Sequence, residues 1–474
     1  MSPSDCSETA PLLRPDDSHE RGSSPAPRAD YRTLSLVVGA IIFLAKFADE
    51  LLKAPMLAAL ELAVCQRSSP TTPCDLASVG PVVASLRGTA GMLGALPGLT
   101  VGYVYGSLSH HWGKRTVLLL ATLGMALETA WFVLVCAQPS IFPPSAVLGS
   151  FTFLFIGGGP QVFNALLLTV LAEVVPNTEQ TAFFWRTGAA GLVSTFIAPP
   201  ASGAMMSVLP AVVVCVVGVA IFSLLFPLIL YLPGTAAAAT PVERGATDGH
   251  TESPQSILRS IRSGWKENTR LISGLLSHGG VVRSAAFADL VSTLAPNILI
   301  ILLQHMSNRF GWSHAEATLI YSIKGGISLV LFTVGLPWIH RYLAHRLRLS
   351  SPWPDLWMSR ALILFLMGGS LLIGVAQTAS WAIAGLALFS CGTGISMSLK
   401  SASAISVPKD QVARLYTGLA AVETLGAILG SPLLSWVYAA TLRAHHPAFE
   451  GAPFLLSSLA YSAAAIAIWT VSVY

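Results

Sequence analysis

The stretch Gly106-Ser-Leu-Ser-His110-His111-Trp-Gly113-Lys114-Arg115 stands between two long apolar runs, 82–108 and 116–137, and these three segments decide the fold. At about 20 residues per crossing, each run is long enough to span the hydrocarbon core of a bilayer as a helix. The polar stretch is then a tight connection between two transmembrane helices. Its adjacent Lys114 and Arg115 assign it to the cytoplasmic side, where basic residues are retained.

Further apolar runs bounded by Pro, Gly or charge lie near 34–60, 146–173, 183–206 and 211–232. After a polar stretch, six more lie near 283–305, 316–339, 357–377, 381–404, 411–440 and 452–473. The pattern predicts an all-α polytopic membrane protein with 12 transmembrane helices arranged as two six-helix repeats. Composition agrees, because 53% of the 474 residues are hydrophobic and 11% are charged, against roughly 25% charged in soluble domains. Mean hydropathy is +0.66. A soluble enzyme is excluded. The net charge of +4 carries no basic surplus of the kind nucleic-acid binding needs. The expected divisions are a disordered cytoplasmic tail over 1–32, a six-helix half over 33–232, a linker over 233–282 and a second half over 283–474.

The tail is rich in Ser, Pro, Asp and Arg and has no apolar core of a cleavable signal peptide. Within it, Glu8-Thr-Ala-Pro-Leu12-Leu13 has the spacing of an acidic dileucine sorting signal, which leaves a vacuolar or endosomal membrane as an alternative to the plasma membrane. With the N-terminus inside, eighteen Lys and Arg fall in inner segments, and only Arg67, Arg309 and Arg443 fall in outer loops. Both termini are therefore expected in the cytoplasm. In the linker, Ile257, Leu258, Ile261, Trp265, Leu271 and Ile272 recur at helical spacing among basic residues, as in an amphipathic helix on the inner leaflet.

The halves repeat. Pro176-Asn-Thr-Glu-Gln-Thr-Ala-Phe-Phe-Trp aligns with Pro408-Lys-Asp-Gln-Val-Ala-Arg-Leu-Tyr-Thr at an offset of 232, which also places Pro200 on Pro432. Two six-helix halves of the same sense point to a parallel-repeat transporter with its substrate near the midplane.

With these residues in hand, 106–115 resembles the loop signature of the major facilitator superfamily, G-x-x-x-D-[RK]-x-G-R-[RK]. Gly106, Gly113, Lys114 and Arg115 match it, and His110 stands where the family has an acid. The resemblance implies close helix packing and a tight turn at the glycines, and a cytoplasmic latch that breaks as the halves rock. The latch is partly neutral with His110. The chain is similar in particular to fungal efflux-type facilitators, exporters of drugs and secondary metabolites. The residues concerned are Gly157-Gly-Gly-Pro160-Gln161-Val-Phe-Asn164, Leu-Ala-Glu173-Val-Val-Pro176, Arg414-Leu-Tyr416-Thr-Gly418 and Glu423-Thr-Leu-Gly426-Ala-Ile-Leu-Gly430-Ser-Pro432. Gly191 and Ala198-Pro199-Pro200-Ala-Ser-Gly203 resemble the span-five motif of facilitator antiporters, although small residues there also serve plain helix packing.

Charges inside spans cost about 3 kcal/mol each at the helix centre, so they face a cavity or a partner. Lys46, Asp49, Glu50 and Lys53 lie in the first span, with Lys46, Glu50 and Lys53 on one helical face. They fit either a proton-coupling acid with its stabilising cation or a structural ladder. Glu128, Asp289 and Glu423 are the further proton-coupling candidates. Lys324 fits a bridge to Asp289 or Glu423, or a site for an anion. Gln161, Asn164, Asn297, Gln304 and His305 are candidates to line a substrate cavity, and helix–helix hydrogen bonds use such residues equally. Cys65 and Cys74 share the first outer loop, an oxidising location, and are a candidate disulfide.

The sequence has no C-x-x-C, H-E-x-x-H, Walker sequence or nucleophile elbow, so no enzyme, metal or cofactor is expected. Without a nucleotide motif, the driving force is an ion gradient or the substrate's own. The expected partners are a small-molecule substrate, protons and the lipid bilayer, with the chain acting as a monomer. The expected function is export of a fungal secondary metabolite or toxin by proton antiport. Proton-coupled uptake of an organic solute, as in the folate carriers the chain also resembles, and a non-transporting transceptor are the alternatives.

Overall fold

The computed structural model describes residues 28–68, 76–174, 180–232, 270, 273–274, 280–343, 353–405, 407–408, 412–444 and 449–470. The dileucine sequence, Cys74, residues 176–179 of the Pro176 segment and, apart from Arg270, the proposed amphipathic segment of the linker lie outside. Among the described residues every regular element is helical, as a hydrocarbon solvent demands, since each backbone N–H and C=O must find its partner within the segment.

The first half comprises α1 (Arg28–Ser68), α2 (Leu76–Trp112), α3 (Lys114–Ala137), a 3-10 helix (Pro144–Phe155) continued by α4 (Gly159–Val174), α5 (Gln180–Met206) and α6 (Ala211–Tyr231). The second comprises α7 (Gly280–Ser292), α8 (Leu294–Phe310), α9 (His314–Ala317), α10 (Leu319–Val330), a π segment (Leu331–Gly335) and α11 (Leu336–Arg341). It ends with α12 (Trp353–Gly374), α13 (Ala379–Cys391), α14 (Ile395–Ile405), α15 (Val412–Arg443) and α16 (Ala452–Trp469). Eleven stretches among these are long and apolar enough to cross a membrane. The 41-residue α1 is the twelfth, set apart from the others by the four charges at its centre.

Four spans that read as continuous in the sequence are interrupted. The fourth breaks at Gly157, Gly158 and Gly159, which take φ of 84°, 80° and 73° in succession. A Cβ at Gly157 would overlap the Ala121 backbone of α3. The Tyr105 hydroxyl donates to the Phe155 carbonyl at 3.0 Å, and Trp131 Nε1 donates to the Ala146 carbonyl at 2.9 Å. Side chains from α2 and α3 thus satisfy carbonyls in the broken span. The seventh span breaks at Thr293, the eighth passes through the π segment, and the tenth breaks between Cys391 and Ile395. Apolar length alone does not register such breaks, because the residues at each remain small or apolar.

The halves meet along two seams, α2 against α15 and α5 against α10. A buried cluster containing Leu57, Leu60 and Val83 of the first half runs on into Leu302, Met306 and Tyr438 of the second. The other large cluster, around Leu118, Leu167 and Leu225, is confined to the first half. Burial shared between the halves therefore gathers toward the end of the bundle remote from the termini.

Candidate functional site

A cavity of about 420 Å³ lies at mid-depth. Its wall comes from α1, α2, α3, the 3-10 helix, α4 and α6, completed by Asn297 and Ile300 of α8 and by Ser431 and Ser435 of α15. Both halves therefore contribute, the first more. Lys46, Asp49, Lys53, Arg87 and Glu128 line it, among apolar side chains that include Met125, Phe132, Phe163 and Phe222.

Helical spacing arranges the charges on α1. Lys53 Nζ lies 2.6 Å from Glu50 Oε1, and Lys46 Nζ lies 4.0 Å from Asp49 Oδ2, each pair three residues apart. Glu50 is buried and the other pair is half open. Lys53 also stands 5.3 Å over the ring of Tyr321, on α10 of the other half. Arg87 donates to the Lys53 carbonyl at 3.4 Å and forms no ion pair with a carboxylate among the described residues. Glu128, half-buried on α3, has no hydrogen bond or ion pair among the described residues.

A second charged group lies within the C-terminal half. Lys400 Nζ donates to Glu423 Oε1 at 2.8 Å and Ser396 Oγ donates to the same oxygen at 2.9 Å. Asp289, on α7, is fully buried; neither of its oxygens meets full hydrogen-bond geometry among the described residues, although the Ser396 hydroxyl lies close enough to interact with it. It lies within electrostatic reach of both Glu423 and Lys400. The bridge expected of Lys324 is therefore made by Lys400, which stands near the end of the span read over 381–404 and lies in α14. Lys324 instead lies within electrostatic reach of Lys53, Glu50, Lys46 and Asp49 across the junction.

Polar contacts between the halves sit toward the remote end. His314 Nε2 is 2.9 Å from Glu61 Oε2. Gln304 Nε2 donates to the Gly80 carbonyl at 3.0 Å, and Ser431 Oγ donates to the Gly88 carbonyl at 3.1 Å. The helices approach so closely here that a Cβ at Gly88 or Gly91 would collide with Ser435 or Ser431. The second seam is equally tight, with Gly203 against Thr318 and Ala315 and Gly325 against Thr195.

The expected cavity residues divide. Asn164 and Asn297 line it. Gln161 packs on Gly98 of α2, Gln304 holds the seam, and His305 is buried with its ring 5.3 Å from Phe454 and 5.8 Å from Phe310. None of these last three reaches the cavity. Gly191 lies beside the Lys46 side chain, Pro199 and Pro200 lie within α5, and Gly426 and Gly430 pack on the seventh span near Thr293 and Leu294. Pro432 lies within α15. In the 106–115 connection, Gly113 turns the chain at φ 84° directly before α3. Gly106 and His110 lie in the last turns of α2, Lys114 is buried and Arg115 half-buried. Cys65 is disulfide-bonded; its expected partner Cys74 lies outside the described residues.

Arg87, Glu61 and Lys400 are the residues that sequence reasoning missed. Glu61 stands one position beyond the apolar boundary drawn at 60, whereas α1 continues to Ser68. Arg87 stands near the mouth of the span read from 82, but α2 starts at Leu76 and carries it deeper. The cost of a buried charge, applied to all of them, would have marked these three as well.

Comparison with known proteins follows the same lines. The Major Facilitator Superfamily pattern matches residues 68–431. An MFS efflux pump, atnC, of Emericella nidulans is 28% identical over 403 residues, covering 84% of this chain and 76% of that protein. The efflux pump ustT of Aspergillus flavus is 25% identical over 459 residues, covering 91% and 89%. Among solved structures, the human organic anion transporter MFSD10 (TETRAN) superposes with a TM-score of 0.61 at 16% identity, covering 92% of this chain and 99% of that one. The xylose transporter XylE from E. coli gives 0.59 at 12% identity, covering 94% and 100%. Twelve helical spans in two halves, a charged cavity at their junction and a family match over most of the length lead to one conclusion: the chain is a multi-pass membrane protein that belongs to the Major Facilitator Superfamily of transporters.

Proposed function

We propose that the protein exports a small organic compound, a fungal secondary metabolite or toxin, by proton-coupled alternating access. The observation that carries this reading is the charged cavity at the junction of two halves whose described polar contacts lie toward one end. Such a cavity offers its contents to one side and becomes a carrier when the seam opens and the opposite end closes. The fungal relatives named as efflux pumps support outward movement. The excess of Lys and Arg in the inner segments supports cytoplasmic termini, with the seam then on the outer side, in a protein that we read as a monomer of the plasma membrane.

Coupling is assigned to the acids. Glu128 faces the cavity without an ion pair, and Asp289 lies buried within reach of Lys400. With a proton on Asp289, Lys400 stays with Glu423 and ties α14 to α15. When the proton leaves, two acids compete for one cation, and Lys400 is drawn toward α7. Proton occupancy thereby alters which helices are tied, a differential interaction of the kind a conformational switch requires. Asp49 and Glu50, already held by Lys46 and Lys53, keep the first span compact as the halves rock.

The test is untargeted mass spectrometry of medium and cells with the gene intact or deleted, followed by flux of the compound found in vesicles under an imposed pH gradient. A compound lost from the medium and accumulated in the deleted strain supports export. A nutrient left unconsumed in the medium instead establishes uptake.

A further inference from the structure

Export as such sets no charge on the cargo; the cavity wall does. The lining cations are Lys46, Lys53 and Arg87, and the lining acids are Asp49 and Glu128. Lys53 is engaged by Glu50 at 2.6 Å and Lys46 has Asp49 at 4.0 Å, so these two charges are answered on their own helix. Arg87 is not. Its one described hydrogen bond goes to a neutral carbonyl at 3.4 Å. The acid that acts on it electrostatically is Glu61, whose Oε2 lies 2.9 Å from His314 Nε2.

A guanidinium remains charged under all ordinary conditions and presents five N–H donors in a planar fork that matches a carboxylate. One such donor set is therefore left facing a cavity whose remaining wall is largely apolar. Lys324, close to the α1 charges and without an ion pair among the described residues, adds a further positive charge behind them. Among the charges that line the cavity itself, Lys46, Lys53 and Arg87 outnumber Asp49 and Glu128 by one.

We propose that the cargo is an amphipathic organic anion whose carboxylate seats on Arg87 while its apolar body lies against Phe132, Phe163 and Phe222. The proposal rests on reading the cavity as the transport site, but its test is binding, which needs no transport. Glu128 is the lining acid without an ion pair, and its charge opposes the same ligand.

The experiment uses the full chain in lipid nanodiscs and three probes of one shape: 2-naphthoate, its neutral amide, and the cationic 2-naphthylmethylamine. Calorimetry is expected to show the wild type binding naphthoate about tenfold or more tighter than the amide, the amine being weakest. R87Q should remove that tenfold preference, naphthoate affinity falling much further than that of the amide, R87K should recover only part of it because a point charge lacks the fork, and E128Q should tighten naphthoate several-fold. E128Q keeps the proposal testable if R87Q does not fold. An amide or amine that binds the wild type as tightly as naphthoate overturns the proposal. So does an unchanged preference in R87Q, a slackened naphthoate affinity in E128Q, or no naphthoate binding at millimolar concentration. Naphthoate binding by a protein that moves no solute in vesicles would sink the transport reading and keep the site. Charge-indifferent binding by a protein that does export a compound would do the reverse.

Discussion

At the scale of single residues, the charged groups fall into two kinds, those closed on a neighbour and those left open. Glu50 with Lys53 and Glu423 with Lys400 are closed at 2.6 and 2.8 Å. Asp289, Glu128 and Arg87 are open among the described residues. The coupling assignment predicts that D289N keeps exchange of the cargo across vesicles but loses its acceleration by a pH gradient. K400Q should lose the same acceleration, and adding D289N to K400Q should cost little more, since both changes remove one interaction. Flux with and without the gradient in the four proteins checks this, and fully additive losses would separate the two residues. The sequence made Asp289 and Glu423 visible because acids in apolar runs are rare. Their cation was misassigned, since Lys400 stands near the end of the run 381–404 and nothing in a single stretch of sequence reports which helix it faces.

Among the helices, the instructive element is the fourth span. Its sequence supplied both the length of a crossing and the glycine run, yet the interruption follows from φ values that only glycine holds without strain, reinforced by contact with α3. G157A is expected to destabilise by about 1–2 kcal/mol from the left-handed backbone alone, and by more because its methyl meets Ala121. A lowered unfolding temperature in detergent, with reduced monodisperse yield, is the readout; an unchanged one would show that the break tolerates a side chain. The break sits directly before Pro160, Phe163 and Asn164, which line the cavity. An interrupted helix beside a midplane site is a recurring transporter device, because irregular backbone is tolerated where protein covers it.

For the whole molecule, twelve crossings were legible because hydropathy is set residue by residue, and the six-plus-six division because a repeat is an internal property of the string. Which end of the bundle is shut was not legible. That depends on Gly88 and Gly91 meeting Ser435 and Ser431, residues separated by most of the chain. A bulky side chain in this seam should act as a wedge: G88L is expected to raise labelling of a single cysteine placed near Ser435 by a water-soluble thiol reagent. Unchanged labelling would show that the seam yields around the new side chain. Pairing glycine with serine across that seam has an electrical consequence as well. A carrier worked by protons sits in a membrane whose voltage would drive any continuous file of water, and a leak of that kind would dissipate the gradient without moving cargo. Helices so close that a Cβ at Gly88 or Gly91 would meet a serine, with the Ser431 hydroxyl spent on the Gly88 carbonyl, leave little width for such a file, so under the proposed coupling the seam would serve as insulation.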